Sequence, residues 1–394
     1  MPELNTLMYL AIMLIGGLIF GRIVKLVKMP NVTGYLICGL ILGPSVTGIV
    51  PENVLDGMNI ISTIALAFIA FTIGLSFKTS YFKEVGATPV VIAIFEALVA
   101  VVLVQAAVMA SGADRAFSII LGAIAAATAP AATIMVIKQY RAKGPVTSTL
   151  LSVVAIDDAV ALIAFGFCVT IAKVIEGGSA GNVVLSILRP FGEVLLALFI
   201  GSLVGVLMKI PLRYFKKNSN RLIILTGFVF LSCALASTFG VSELLACMMS
   251  GAVFCNISEY SDVMAELADS VTPPIFMLFF VVSGADLDLK VLPSIGVIGV
   301  IYVFVRVIGK WVGAFAGAKL MHAPENVCKY IGPTLIPQAG VAIGLTIVAQ
   351  SVVPHYAAQI RAVVLCATLI YEMIGPIVTK ITLTKAGEIK PEEQ

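Results

Sequence analysis

Residues 150–163 read LLSVVAIDDAVALI, which places two adjacent carboxylates, Asp157 and Asp158, inside an uninterrupted apolar run. An ionisable side chain at the centre of a membrane helix costs about 2.5–3.5 kcal/mol on insertion scales, so each such residue needs a physical reason to be there. Neighbouring helical residues point about 100° apart, so one aspartate can face an ion cavity while the other faces a second helix. The alternative is a helix boundary with both aspartates in a loop, which the apolar sequence on either side disfavours.

The composition of the whole chain agrees with a membrane environment. Of the 394 residues, 60% are hydrophobic and 12% are charged, and the mean hydropathy is +1.08. Soluble domains carry about 25% charged residues. A formal net charge of +3 indicates no nucleic-acid partner, and seven cysteines without a Cys-x-x-Cys pair indicate no disulfide framework. The sequence therefore predicts an all-α polytopic membrane protein.

Apolar runs separated by charged residues or by Gly and Pro predict about thirteen transmembrane helices. With the N-terminus outside, eighteen Lys and Arg residues fall on the inner side, five on the outer side and two within a span. The positive-inside rule then predicts an outer N-terminus and a cytoplasmic C-terminus in the inner (plasma) membrane. No polar stretch is long enough for a soluble domain, so we expect a single transmembrane unit over residues 1–394. The predicted spans are 5–21, 31–50, 57–77, 86–110, 116–137, 146–172, 186–208, 222–239, 242–256, 270–284, 291–318, 327–350 and 356–379.

Arg306 and Lys310 lie four residues apart in another apolar run and therefore share one helix face. A cation buried near Asp157 would offset the desolvation of both groups. The alternative for this pair is snorkelling to the membrane interface, which fits Lys310 better than Arg306. Glu96 and Glu372 also lie in or near spans, and we expect them to be structural, paired with a buried cation such as Arg306.

Two predicted spans, the fifth and the twelfth, are interrupted by polar residues and proline. Proline removes a backbone donor and frees a carbonyl, which must find another partner inside the membrane. Two broken helices in corresponding positions of two halves indicate the midplane site of a transporter, with inverted repeats. The alternative is a pair of ordinary proline kinks. The polar and proline positions of the two breaks are Thr128, Pro130, Thr133, Pro337 and Gln338.

These features together resemble the monovalent cation/proton antiporter superfamily, and bacterial sodium/proton antiporters in particular. The resemblance covers nearly the whole chain, and its specific part is the aspartate pair between two broken helices. The matching segments are 30–36 (PNVTGYL), 39–44 (GLILGP), 71–75 (FTIGL), 128–130 (TAP), 157–158 (DD), 279–285 (FFVVSGA) and 337–342 (PQAGVA).

The resemblance implies roles for individual residues. Asp158 would be the main carrier ligand of the transported cation, and Asp157 would pair with Lys310. An Asp-Asp pair is typical of the electrogenic branch, and Ala129 stands where electroneutral members have aspartate. The resemblance also implies a homodimer and two crossed broken helices. We expect core ion-binding helices at about 57–172 and 270–379, and scaffold and dimerisation helices at 1–50 and 186–256.

The mechanism that we expect is exchange of Na⁺, or Li⁺, for protons by alternating access around Asp158. Carboxylates, freed helix carbonyls and the Thr128 hydroxyl supply the oxygen ligands that a hard cation prefers. Asp157 and Asp158 would thus bind Na⁺ as cargo, and no cofactor is needed. The sequence leaves a K⁺/H⁺ antiporter and a sodium-coupled symporter of an organic anion open. An intramembrane aspartyl protease is disfavoured, because its two aspartates must meet from separate helices, and we expect no enzyme.

Overall fold

The computed structural model describes residues 5–27, 29–75, 77, 86–176, 183–286, 296–338 and 340–390. The secondary structure of this part is helical, without strands. Two 3₁₀ turns, Gly332–Leu335 and Pro354–Tyr356, lie in the C-terminal part of the chain. The α-helices are α1 (Thr6–Leu26), α2 (Asn31–Leu42), α3 (Glu52–Gly57), α4 (Asn59–Leu75), α5 (Thr88–Ala110), α6 (Arg115–Ile124), α7 (Pro130–Gln139), α8 (Pro145–Ile175), α9 (Val183–Leu212), α10 (Asn218–Thr238), α11 (Glu243–Ile257), α12 (Ser261–Ala285), α13 (Gly296–Leu320), α14 (Glu325–Tyr330), α15 (Gly340–Val352) and α16 (Ala357–Lys385).

The described helices confirm an all-α membrane protein. Within the described residues, eleven of the thirteen predicted spans fall on one helix each. The fifth falls on α6 and α7, and the twelfth on α14 and α15. Eight helices in the described part are long and apolar enough to cross a membrane, and four further apolar helices are shorter. The number of crossings, thirteen, stays a prediction. The span at 291–318 is described from Gly296 onward, and Ala339 of the second break lies outside the described residues.

Helix α12 differs from its predicted span at one end. We predicted 270–284 from the apolar run, whereas the helix begins at Ser261. The additional turns are polar, and hydropathy detects only the part of a helix that is apolar enough for lipid. The helix also continues through Pro273 and Pro274.

Helices α5 and α13 approach each other closely beside the site. Gly309, Gly313 and Gly317 recur every four residues along one face of α13, and each faces the α5 backbone. At Gly313, a Cβ atom would lie 2.6 Å from the Glu96 Cα atom. Small residues at this spacing let two membrane helices pack backbone to backbone. Lys310 directly follows Gly309 in α13. The helix contact therefore sets the distance between Lys310 and Glu96 on α5.

The N-terminus of α8, the helix that carries both aspartates, is capped from the far end of the chain. One carboxylate oxygen of Glu388, Oε1, accepts a hydrogen bond from the Val146 amide at 2.7 Å. Its other oxygen, Oε2, accepts from the Thr147 amide at 2.7 Å and from the Thr147 hydroxyl at 2.6 Å. Gly144 at the N-cap position has no side chain to do this. A buried carboxylate at this position accepts hydrogen bonds from the free amides of the first turn, and its negative charge is stabilised by the positive end of the helix dipole.

Candidate ion-binding site

The two helix breaks lie against each other. Residues 125–129 separate α6 from α7, and residues 336–338 follow the 3₁₀ turn before α15. The Ala129 amide donates a 2.9 Å hydrogen bond to the Pro337 carbonyl, and the Thr133 hydroxyl donates to the Thr334 carbonyl at 3.3 Å. Helix α7 begins at Pro130. The first amides of a helix have no partner within the helix, so proline can stand there without the loss of a hydrogen bond. The breaks therefore bring non-helical backbone from both halves of the chain to one place.

Arg306 binds the carbonyls that both breaks leave free. Its guanidinium donates to Ala125 O at 3.1 Å, to Ala127 O at 2.7 Å and to Ile336 O at 2.7 Å. The side chain is fully buried, and its guanidinium carbon lies 4.7 Å from the centre of the Tyr371 ring. Freed carbonyls at a helix C-terminus attract a cation. Arg306 thus stabilises the breaks, and in the described part of the chain no carboxylate forms an ion pair with it.

Gln338 adds a neutral link between the breaks. Its Nε2 atom donates to the Ile124 carbonyl, the last of α6, at 3.0 Å and lies 3.0 Å from the Tyr302 hydroxyl. The side chain is fully buried. A buried amide is stable only when hydrogen-bonded, so its position between α6 and α13 is specified by these partners.

Lys310 lies at the centre of the charged groups. Its Nζ atom donates to the Thr128 hydroxyl at 2.7 Å and to the Ala126 carbonyl. Nζ lies 2.5 Å from Glu96 Oε2 and 3.7 Å from Asp157 Oδ2. All three charged side chains are at most 1% exposed. Lys310 is therefore the cation beside Asp157, while its nearest carboxylate is Glu96.

Asp157 and Asp158 have different surroundings. Asp157 is buried beside the Glu96 carboxyl, and within the described residues no N–H group or hydroxyl donates to either of its oxygens. Asp158 is 6% exposed, and within the described residues it has no hydrogen bond and no ion pair. A cavity of about 420 Å³ between α8, α9 and α11 is lined by Ala155 and Ile156, the two residues directly before the aspartates. Both carboxylates thus retain lone pairs that the protein leaves unused.

Glu96 pairs with a buried cation, as predicted, but that cation is not Arg306, the example that we named. The cation is Lys310, because α5 packs along the face of α13 that carries the lysine. Glu372 is buried in α16 and forms no ion pair with a cation in the described part. Glu96 was visible in the sequence as an acid within an apolar run, but its partner depends on which helices are neighbours.

This geometry defines a class of protein: a membrane transporter with two crossed broken helices and buried carboxylates beside them. The profile of the family described as "Sodium/hydrogen exchanger, transmembrane" matches residues 10–385. The chain belongs to this family.

Individual relatives agree with that membership. The chain is 23% identical over 379 residues to a Na⁺/H⁺ antiporter of Enterococcus hirae, covering 94% of this chain and 97% of that protein. It is 24% identical over 293 residues to the iron transporter MagA of Paramagnetospirillum magneticum, covering 73% of this chain and 65% of MagA. The fold is similar to that of the sodium proton antiporter MjNhaP1 from Methanocaldococcus jannaschii, with a TM-score of 0.75, 18% identity and coverage of 97% and 98%.

Proposed function

We propose that the protein exchanges Na⁺ for protons across the membrane by alternating access around Asp158. The observation that carries this proposal is a buried carboxylate without a protein partner, beside two crossed helix breaks. A buried carboxylate is costly unless it is protonated, paired or bound to a cation. A proton and a cation therefore compete for the same oxygens, and this competition is sufficient for exchange. The antiporter relative from Enterococcus hirae supports the same cargo.

The oxygen ligands come mainly from the two aspartates. Many of the carbonyls at the breaks already accept hydrogen bonds from Arg306, Lys310 and Gln338. These carbonyls lie close to the site, but their main role is to accept hydrogen bonds from the buried cations Arg306 and Lys310. The Thr128 hydroxyl accepts from Lys310 and retains a second lone pair for a cation.

We propose that the exchange is electrogenic, with about two protons moved per sodium ion. Arg306 is bonded to carbonyls and stays charged, so only the carboxylates and Lys310 respond to loading of the site. A second proton adds one charge to each cycle, worth about 2.3 kcal/mol per 100 mV of membrane potential. The same proposal places the N-terminus outside and the C-terminus in the cytoplasm of the plasma membrane, with a homodimer as the assembly.

The experiment is proton flux in proteoliposomes on addition of Na⁺, Li⁺ or K⁺, at zero and at imposed membrane potential. Sodium- or lithium-driven flux that changes with the potential supports electrogenic exchange, and potassium-driven flux supports the K⁺/H⁺ alternative. Fe²⁺ belongs in the series because one relative is named an iron transporter. Sodium-dependent uptake of an organic anion without proton movement would support a symporter instead.

The matched variant is Asp158→Asn, which keeps the size of the side chain and removes its charge. We expect it to abolish exchange, because neither a proton nor a cation can then be held at the carrier position. The control is Glu193→Gln, which removes the charge of an exposed acid on α9. We expect this variant to exchange normally. Robust exchange by the Asp158→Asn variant contradicts the assignment of Asp158.

A further inference from the structure

Two buried cysteines lie at the same depth in the hairpin of α10 and α11. Residues 239–242 connect these helices, and Gly240 takes a left-handed conformation in the turn, with a φ of 66°. Cys233 lies five residues before the end of α10, and Cys247 lies four residues after the start of α11. At about 1.5 Å per residue, both are roughly 6–8 Å from the turn along the helix axes. The short turn therefore places the two cysteines beside each other.

The sulfur of Cys247 lies against the backbone of the turn that carries Cys233. Cys247 Sγ donates to the Val229 carbonyl at 3.8 Å. In an α-helix, the carbonyl of residue 229 is the acceptor for the amide of residue 233. The two thiol groups also contact each other, and both are free in the structure. A disulfide requires two cysteines at such close approach, because its geometry is specific.

The two thiols differ in their access to reagents. Cys233 is 8% exposed, whereas Cys247 is fully buried. The Cys233 thiol donates to Glu243 Oε2 at 3.2 Å, and Glu243 is half-buried at the start of α11. Cys233 thus has both an acceptor for its proton and some contact with its surroundings. Cys247 is shielded by the helices around it and is suited to react with Cys233.

We propose that Cys233 and Cys247 form a redox-active dithiol, a modification site that is oxidised to a disulfide by exchange with an external disulfide. Cys233 Sγ first attacks one sulfur of the external molecule R–S–S–R, whose S–S bond breaks, so that a mixed disulfide and one R–SH form. The thiol proton passes to Glu243 and from there to the leaving thiolate. Cys247 Sγ then attacks Cys233 Sγ, and the second R–SH leaves with the Cys247 proton. The protein loses two hydrogens and the external disulfide gains them.

The bond joins α11 to α10 at a position where α11 is already packed closely. A Cβ atom at Gly201 of α9 would lie 2.2 Å from the Ala246 carbonyl oxygen. Met248, on the other side of Cys247 in the chain, packs against Gly74 of α4 and lines the cavity beside the aspartates. A disulfide at Cys247 therefore fixes α11 next to this cavity. The inference does not rest on the proposed function, because it concerns the hairpin and not the carboxylates.

The test uses the reduced full-length protein in detergent, with dipyridyl disulfide as the probe. After the probe is removed, the remaining thiols are blocked with N-ethylmaleimide during unfolding, and the adducts are counted by intact mass. The chain has seven cysteines, and we expect two of them to be lost to a disulfide without a retained pyridyl group. Dithiothreitol is expected to restore both. Peptide mapping is expected to show Cys233 linked to Cys247.

Three variants separate a dithiol from a single reactive cysteine. In Cys247→Ala, the second step is blocked, so we expect a stable mixed disulfide on Cys233. In Cys233→Ala, we expect Cys247 to stay reduced, because it is buried. Cys38→Ala is the matched control, since Cys38 is a buried cysteine on α2 whose sulfur faces Gly16. This control is expected to form the link between Cys233 and Cys247 as the wild type does.

The wild-type peptide map decides the inference even where a variant fails to fold. A peptide that links Cys233 to Cys247 supports it. Unchanged thiols, a mixed disulfide that persists on Cys233 of the wild type, or a link between other cysteines overturns it. Proton flux is measured separately, so the absence of sodium-driven flux would overturn the proposed function and leave this result as it stands.

Discussion

The Glu388 carboxylate is the N-terminal cap of α8, and its removal has an effect that can be worked out from the structure. In Glu388→Ala, the amides of Val146 and Thr147 lose their acceptor, and both hydrogen bonds lie in buried surroundings. A buried donor without a partner costs about 1–3 kcal/mol, and loss of an N-cap costs about 0.5–2 kcal/mol. We therefore expect Glu388→Ala to lose about 2–4 kcal/mol of stability.

The related variant Glu388→Gln keeps one acceptor oxygen and loses the charge. We expect it to lie between wild type and Glu388→Ala, with a loss of about 1–2 kcal/mol, because bonds to a charged acceptor are stronger than bonds to an amide oxygen. The three proteins are therefore expected to unfold in a fixed order, with Glu388→Ala at the lowest temperature, Glu388→Gln next and wild type at the highest.

The assay is thermal unfolding in detergent, followed by the fluorescence of the single tryptophan, Trp311 on α13. We expect a decrease of roughly 2–6 °C for Glu388→Ala. Glu259→Gln, an exposed acid in the turn before α12, is the matched control and is expected to unfold like wild type. If Glu388→Ala unfolds at the wild-type temperature, or if the control falls as far, the carboxylate does not cap α8 as described.

Two further variants test how the site is supported. Arg306→Lys replaces a planar group that donates to three carbonyls, so at least one carbonyl loses its partner. We expect a loss of about 1–3 kcal/mol of stability in the same thermal assay. Wild-type stability would contradict the role of the guanidinium. Gly313→Ala places a Cβ atom 2.6 Å from the Glu96 Cα atom, so α5 and α13 must separate; we expect about 1–3 kcal/mol of destabilisation and weaker sodium binding. Gly227→Ala, which meets nothing within 4 Å, is its control, and an equal loss there would contradict the packing argument.

Much of the fold and of the site could be predicted from the sequence. The apolar runs predicted the positions of the helices, because a membrane requires long uninterrupted apolar segments. The breaks were visible because Pro130 and Pro337 stand inside such runs. The cost of burying charge singled out Asp157 and Lys310, which the structure brings to 3.7 Å from each other. Their transport roles remain predictions.

The partners of these residues could not be predicted in the same way. We expected Arg306 beside an acid, yet within the described residues its guanidinium donates to three carbonyls, two of which are 179 and 181 residues away. The bonds from Glu388 to α8 span 241 and 242 residues. Hydropathy reports whether a residue can be buried, but it carries no information about which helix will be beside it.

The sequence by itself thus determined the class of protein, its helices, the two breaks and the identity of the buried charges. Each of these follows from a local free-energy cost, either of polar backbone or of charge in an apolar medium. Only the tertiary structure decided that Glu96, and not Asp157, is the nearest partner of Lys310. The physical reason is that this choice depends on the glycine contacts between α5 and α13, which set the distance between two side chains on separate helices.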